Sequence, residues 1–165
     1  MLFFSMALKR HQLVFTKLSE YPQFLPIAAQ WAEDEWGYIR NKGVDYRMEV
    51  LSSISHETYI GTFCGQPVAM FALLNQPAEI SDEKFKPFDS CELRYVYVDK
   101  NYRSLGFGSQ ILKEAKRCAR LSEVDTIILD TLKPSLNGFY KKEGAVVVCE
   151  GSLVSHPTDV LRMST

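Results

Sequence analysis

The sequence predicts a mixed α/β fold, and three observations carry that prediction. Two stretches of helical period come early, one in "LPIAAQWAEDEW" and one from Asp45. Two β-branched and aromatic runs follow, "TYIGTFC" and "VAMFALL", with a short turn signal between them. From Cys91 onward, strand and helix patterns alternate, with no internal repeat, linker or low-complexity segment. A chain of 165 residues, 46% hydrophobic and 24% charged, fits one domain over residues 1–165 with a substantial core.

Taken in order, Leu13 to Lys17 reads as a strand. The stretch through Trp36 then places Leu25, Ala28, Ala29, Ala32 and Trp36 on one helical face, with Glu33, Asp34 and Glu35 gathered toward its end. Asp45 to Ser55 predicts a second helix that faces inward through Tyr46, Val50, Leu51 and Ile54. Thr58 to Cys64 against Val68 to Leu74 predicts a hairpin turning at Gly65 and Gln66. Gln76 to Ser90 is polar, carries two prolines and has no period, so an exposed loop of functional length is expected there. The remaining elements are a strand ending at Val98, a turn, a helix from about Gly106 to Leu121, and a strand from Thr126 to Asp130. A short helix from Ser135 to Lys142 and strands at Ala145 to Cys149 and Val160 to Met163 complete the pattern.

Bulk chemistry excludes several roles. A formal charge of -1 exerts no global pull toward nucleic acid or an anionic membrane, so any electrostatic recognition is local. Cys64, Cys91, Cys118 and Cys149 are widely separated with no C-x-x-C pair, which predicts neither a metal site nor a disulfide framework and fits a reducing cytoplasm. The opening "MLFFSMALKRHQ" carries its charges after a short apolar patch and makes a poor signal peptide; Met1 and Met6 both serve as possible starts.

The informative stretch is "VYVDKNYRSLGFGSQILKEAKR", Val96 to Arg117. Gly106 and Gly108 remove side chains at a turn that opens a helix, and a helix start offers unpaired N–H groups. That combination is an anion site, most often for phosphate. The helix that follows has an apolar stripe of Ile111, Leu112, Ala115, Cys118 and Ala119, opposite a basic face of Lys113, Lys116, Arg117 and Arg120 open to solvent or ligand. A Walker loop fails because no G-K-[ST] follows. A dinucleotide fingerprint finds an acidic residue, Asp130, near the expected ~20-residue distance, but Ile111 stands where its third glycine belongs.

The stretch resembles the central motif of the GNAT family of N-acetyltransferases, an apolar strand followed by [RQ]-x-x-G-x-[GA] and a helix, with Arg103, Gly106 and Gly108 in register. The resemblance continues through "LDTLKPSLNGFYKKEGAVVV". It implies a mostly antiparallel sheet of about six or seven strands flanked by about four helices and splayed at the central strand. It also implies an N-acetyltransferase using acetyl coenzyme A, without metal. The acceptor is then an amine on a small molecule, a peptide or a protein, and the chain a monomer or homodimer. The turn Arg103, Ser104, Leu105, Gly106, Phe107, Gly108 and Ser109 would hold the pyrophosphate, and Val96, Tyr97 and Val98 would pair with the pantetheine arm as an added strand.

Amine attack on a thioester needs a base, since an alkyl ammonium has a pKa near ~10.4, and the departing thiolate gains from an acid. The resemblance nominates Glu92 as base, placed by period two on the Val96 and Val98 side, and Tyr140 in "FYKKEG" as acid. A backbone N–H at Val98 or nearby would polarise the thioester oxygen. Each has a plainer reading: Glu92 as a solvated strand-edge carboxylate, Tyr140 as a packing ring, and Tyr95 with Tyr97 as one face of an ordinary buried strand. A non-catalytic acyl-coenzyme A sensor on the same scaffold is the alternative. Lys133 stands where the family often has asparagine, Ala145 where it has an aromatic, and Lys100 where proline is frequent.

Overall fold

The computed structural model describes residues 11–75, 90–151 and 158–165. Both possible starts and most of the Gln76 to Ser90 loop lie outside the described residues. The strands are β1 (Val14–Lys17), β2 (Thr58–Phe63), β3 (Gln66–Leu74), β4 (Ser90–Val98), β5 (Thr126–Thr131), β6 (Val146–Cys149) and β7 (Asp159–Ser164). The α-helices among the described residues are α1 (Leu25–Arg40), α2 (Gly43–Ser53), α3 (Phe107–Leu121) and α4 (Asn137–Lys142).

The strands form one seven-stranded sheet in the order β1-β2-β3-β4-β5-β7-β6. The β1–β2, β2–β3, β5–β7 and β6–β7 pairs are antiparallel and β4–β5 is parallel. The expected mixed, mostly antiparallel sheet is therefore present, and it is not the all-parallel sheet of a dinucleotide-binding fold. The parallel ladder pairs Ser90↔Thr126 through Leu93↔Leu129.

By its contacts the chain forms two compact units, one of residues up to Ala72 with Tyr95–Ile111, the other of Leu73–Arg94 with Leu112–Thr165. The first unit has its core in Leu18, Ala28, Ala29, Trp31, Ala32, Leu51, Ile60, Met70 and Tyr97. Three alanines on one face of α1 let that helix lie close to its neighbours, and Asn41, with φ +53°, ends it in the left-handed conformation that suits a C-terminal cap. Helix α2 begins two residues earlier than predicted and buries a charge that its pattern did not announce. Arg47 is 5% exposed, donates from Nη2 to the Trp36 carbonyl at 2.7 Å, and pairs through Nε with Glu33 at 3.4 Å.

That pairing depends on Gly37. A Cβ at Gly37 would stand 2.5 Å from Glu33 Oε1, so the carboxylate occupies the space a side chain would take. Gly37→Ala should gain about 1 kcal/mol of helix propensity and lose as much by dislodging Glu33 from a buried cation. Urea unfolding is expected to show no stabilisation in the wild-type background and a gain of about 1 kcal/mol in Glu33→Ala. An equal gain in both backgrounds would refute the link.

The hairpin turns one residue earlier than expected. Cys64 and Gly65 both have positive φ, +50° and +78°, as a two-residue type I′ turn requires, so Gln66 already belongs to β3. In the second unit, Cys91, Leu93, Leu112, Ala115, Ala119, Ile127, Leu129, Leu161 and Met163 are buried. The basic face of α3 is partly spent on structure: Lys116 donates to the Glu143 carbonyl at 2.6 Å, Arg120 to the Thr165 carbonyl at 2.7 Å, and Arg117 pairs with Glu114.

Candidate active site

In the first unit the outer half of β4 runs into the glycine turn. Tyr95 has φ +54°, a left-handed conformation that is costly for a bulky residue inside a strand and marks an irregularity there. Two-residue alternation therefore cannot be counted through Tyr95, which removes the basis for placing Glu92 on the Val96 and Val98 side. Tyr95 and Tyr97 do share a side. The Trp36 ring meets Tyr95 edge-on at 5.5 Å and Tyr97 at 6.4 Å, and Trp31 stacks on Tyr97 at 5.5 Å.

After Val98 one hydrogen bond to β3 and then local ones set the path of the chain. Asp99 N donates to the Val68 carbonyl at 2.8 Å, and the Asp99 side chain accepts from Asn101 N at 2.9 Å to start a single 3-10 turn over Lys100–Tyr102. Arg103 then folds back. Its Nε donates to the Val98 carbonyl at 3.0 Å and its guanidinium lies 5.5 Å over the Tyr97 ring. The Tyr97 hydroxyl is pushed upward chiefly by burial, with Arg103 opposing and the charges of Asp99, Glu35 and Asp34 adding to the rise.

The turn itself is exposed and contains two left-handed residues, Ser104 at φ +66° and Gly106 at φ +82°. Residues that alternate handedness in this way turn successive N–H groups toward a common concavity. The first helical hydrogen bond, Gln110 N to the Gly106 carbonyl at 3.3 Å, leaves Phe107 and Gly108 ahead of it at the positive end of α3. Phe107 anchors that end from below, buried against Phe63. Gln110 adds a clamp: its Oε1 accepts from Leu13 N at 2.8 Å and its Nε2 donates to the His11 carbonyl at 2.7 Å. The sequence held no signal for Gln110, because its partners lie almost a hundred residues away.

The second unit holds the remaining nominated residues. Glu92 is not a solvated strand-edge carboxylate: it is 4% exposed and ion-paired through Oε1 to Arg94 Nε at 2.5 Å. On β5, Asp130 lies two residues beyond Ile128, the partner of Glu92, and so on the same side of the sheet. Its carboxyl is raised, first by the surrounding protein and next by the Glu92 charge, with Arg94 opposing. Tyr140 is 7% exposed, touches the Phe139 ring, and burial pushes its hydroxyl up to about 12. Among the described residues that hydroxyl makes no hydrogen bond. Cys91 is fully buried, its thiol pushed up to about 11 by burial, as an inert core thiol would be. No cluster of metal-ligating side chains occurs among the described residues.

An acetyltransferase (GNAT) domain model matches residues 55–144, more than half of the chain, from the 3-10 turn before β2 through the end of α4. The chain belongs to the GNAT acetyltransferases. Solved structures share its fold at low sequence identity. An aminoglycoside 6'-N-acetyltransferase complexed with coenzyme A is 13% identical, with a TM-score of 0.73 over 92% of this chain and 96% of that one. Ard1 from Thermoplasma volcanium is 13% identical, with a TM-score of 0.71 over 93% and 97%. A GNAT acetyltransferase from Staphylococcus aureus Mu50 is 17% identical, with a TM-score of 0.67 over 93% and 99%. No curated protein sequence matches the chain. No helix among the described residues is long and apolar enough to cross a membrane.

Proposed function

We propose that the chain is a single N-acetyltransferase domain that moves the acetyl group of acetyl coenzyme A to an amine by direct attack. The observation that carries the reading is the turn from Arg103 to Gly108. It combines a basic side chain, two left-handed residues and a helix start in the position of the GNAT motif, in a family whose aminoglycoside-acetylating member is seen with coenzyme A. The backbone of Val96, Tyr97 and Val98 takes the pantetheine arm, and the turn from Arg103 through Ser109 takes the pyrophosphate.

The amine nitrogen attacks the thioester carbon, forming the C–N bond while the carbonyl oxygen takes up charge against a backbone N–H near Val98. The C–S bond then breaks, Tyr140 gives its proton to the departing sulfur, and the tyrosinate is reprotonated from water. The proton lost by the amine passes to Glu92 through water, since that carboxylate is buried and held by Arg94. Products are the amide and free coenzyme A. The burial and pairing of Glu92 also favour a second reading, a sensor that binds acyl coenzyme A without transfer.

Parallel calorimetric titrations with acetyl coenzyme A and NAD test the cofactor, and release of free thiol across a panel of amines tests transfer. Binding of acetyl coenzyme A alone is expected, with Tyr140→Phe lowering kcat by roughly a hundredfold and leaving Kd in place. Binding with no thiol release, and no effect of Tyr140→Phe, would establish the sensor instead.

A further inference from the structure

Tyr140 rides on α4, which has only six residues, and a helix that short holds no shape of its own in water. Its position is set by whatever grips it. A buried polar chain grips its first residue. Thr131 Oγ1, at the end of β5, donates to Asn137 Oδ1 at 2.6 Å. Asn137 Nδ2 in turn donates to Asp159 Oδ2 at 2.8 Å, and Asp159 Oδ1 accepts from Gly151 N at 3.2 Å. Thr131 and Asn137 are both buried, where each such bond is expensive to leave unmade.

Asn137 and Tyr140 are three residues apart and so lie on one side of the helix. The Tyr140 hydroxyl has no hydrogen bond of its own among the described residues, so the helix backbone and the packing of its ring aim it. We infer that Asn137 is a positioning residue for Tyr140: the Thr131–Asn137–Asp159 chain sets the height and rotation of α4, and with them the point where the hydroxyl meets the leaving sulfur. The inference rests on the reading of Tyr140 as the acid. It also separates Asn137 from the coenzyme. Both ends of its amide are spent inside the fold, so Asn137 does not restore the contact that Lys133 removes.

The test is a double-mutant cycle. Asn137→Leu, and the gentler Thr131→Val in case the first fails to fold, are each made in wild-type and Tyr140→Phe backgrounds. Acetyl coenzyme A affinity is measured by calorimetry and kcat by thiol release with the best amine of the panel. The ring of Tyr140 is followed by NMR of ζ-carbon-labelled tyrosine, its resonance assigned by its loss in Tyr140→Phe. Kd should hold within about twofold while kcat falls about tenfold in the wild-type background and hardly at all in Tyr140→Phe, because a misplaced acid and an absent one are equivalent. The resonance, which needs no acceptor, should move in both single variants. An equal fall of kcat in the two backgrounds, or an unmoved resonance, would overturn the inference with the acid role intact. An unchanged kcat in Tyr140→Phe alone would overturn the acid role and the inference together.

Discussion

Gly106→Asp should abolish acetyl coenzyme A binding in a chain that still folds. Gly106 has φ +82°, so any L side chain there costs about 1–2 kcal/mol of backbone strain. Nothing lies within 4 Å of a Cβ built on it, and the turn is exposed, so no core packing is lost. The start of α3 is held independently, by buried Phe107 and by the Gln110 bridge to His11 and Leu13. The new carboxylate therefore stands in the space proposed for the pyrophosphate. Like charges ~4 Å apart repel by about 1 kcal/mol in bulk water and about 4 kcal/mol at the effective dielectric of a protein surface, enough to remove micromolar binding when more than one phosphate charge is met. Gly106→Ala separates the two effects, since it brings the strain without the charge, and should weaken binding by no more than about tenfold. Calorimetry alongside circular dichroism decides it: a folded Gly106→Asp chain with wild-type affinity would place the coenzyme elsewhere.

The order of elements and the turn were legible in the sequence because both rest on local causes. Apolar period marks α1, α2 and α3 whatever they pack against, and Gly106 is needed wherever φ is positive without a Cβ. What escaped was set by distant partners or by strain. Ser104, Tyr95 and Cys64 adopt left-handed backbone that their residue types do not advertise, and Tyr95 breaks the period by which Glu92 was placed. Cys64 moved the hairpin turn because the type I′ geometry needs two consecutive positive φ values and the chain used the residue before Gly65 rather than the one after. Arg47 carries no mark of burial in the period of its own helix, because its partners, Glu33 and the Trp36 carbonyl, come from α1. Lys116 and Arg120, read as a solvent or ligand face, reach carbonyls at Glu143 and Thr165 that no spacing within α3 could reveal. Glu92 shows the limit most clearly for the site. Its identity and strand were readable, but its burial and its partner Arg94 decide how it can handle a proton, and those are properties of the packed sheet.

Alkali should unfold this protein through two buried groups that stay neutral at ordinary pH. Burial raises Cys91 from 9.0 to about 11 and Tyr140 from 10.0 to about 12. A raised pKa in the folded state means that the fold binds the proton more tightly than the unfolded chain does. Its contribution to stability is then complete below the unfolded value and disappears as pH climbs through the folded one. For Cys91 the loss runs from about pH 9 to 11, and for Tyr140 from about pH 10 to 12. Each tenfold loss of acidity is worth about 1.4 kcal/mol, so rises of this size amount to about 3 kcal/mol per group, a large part of the roughly 5–15 kcal/mol that holds a typical domain. Tyr97, raised in the same direction, adds to the trend. Urea titrations from pH 8 to 12 should therefore show stability falling steeply above pH 9. Cys91→Ala is expected to flatten the lower part of that fall and Tyr140→Phe the upper part, because neither replacement has a proton to lose. If both variants lost stability with the wild-type pH dependence, the burial of these two groups would not be the cause. If Tyr140→Phe alone failed to flatten the upper part, the ring would be more open to water than a buried, unpartnered acid requires.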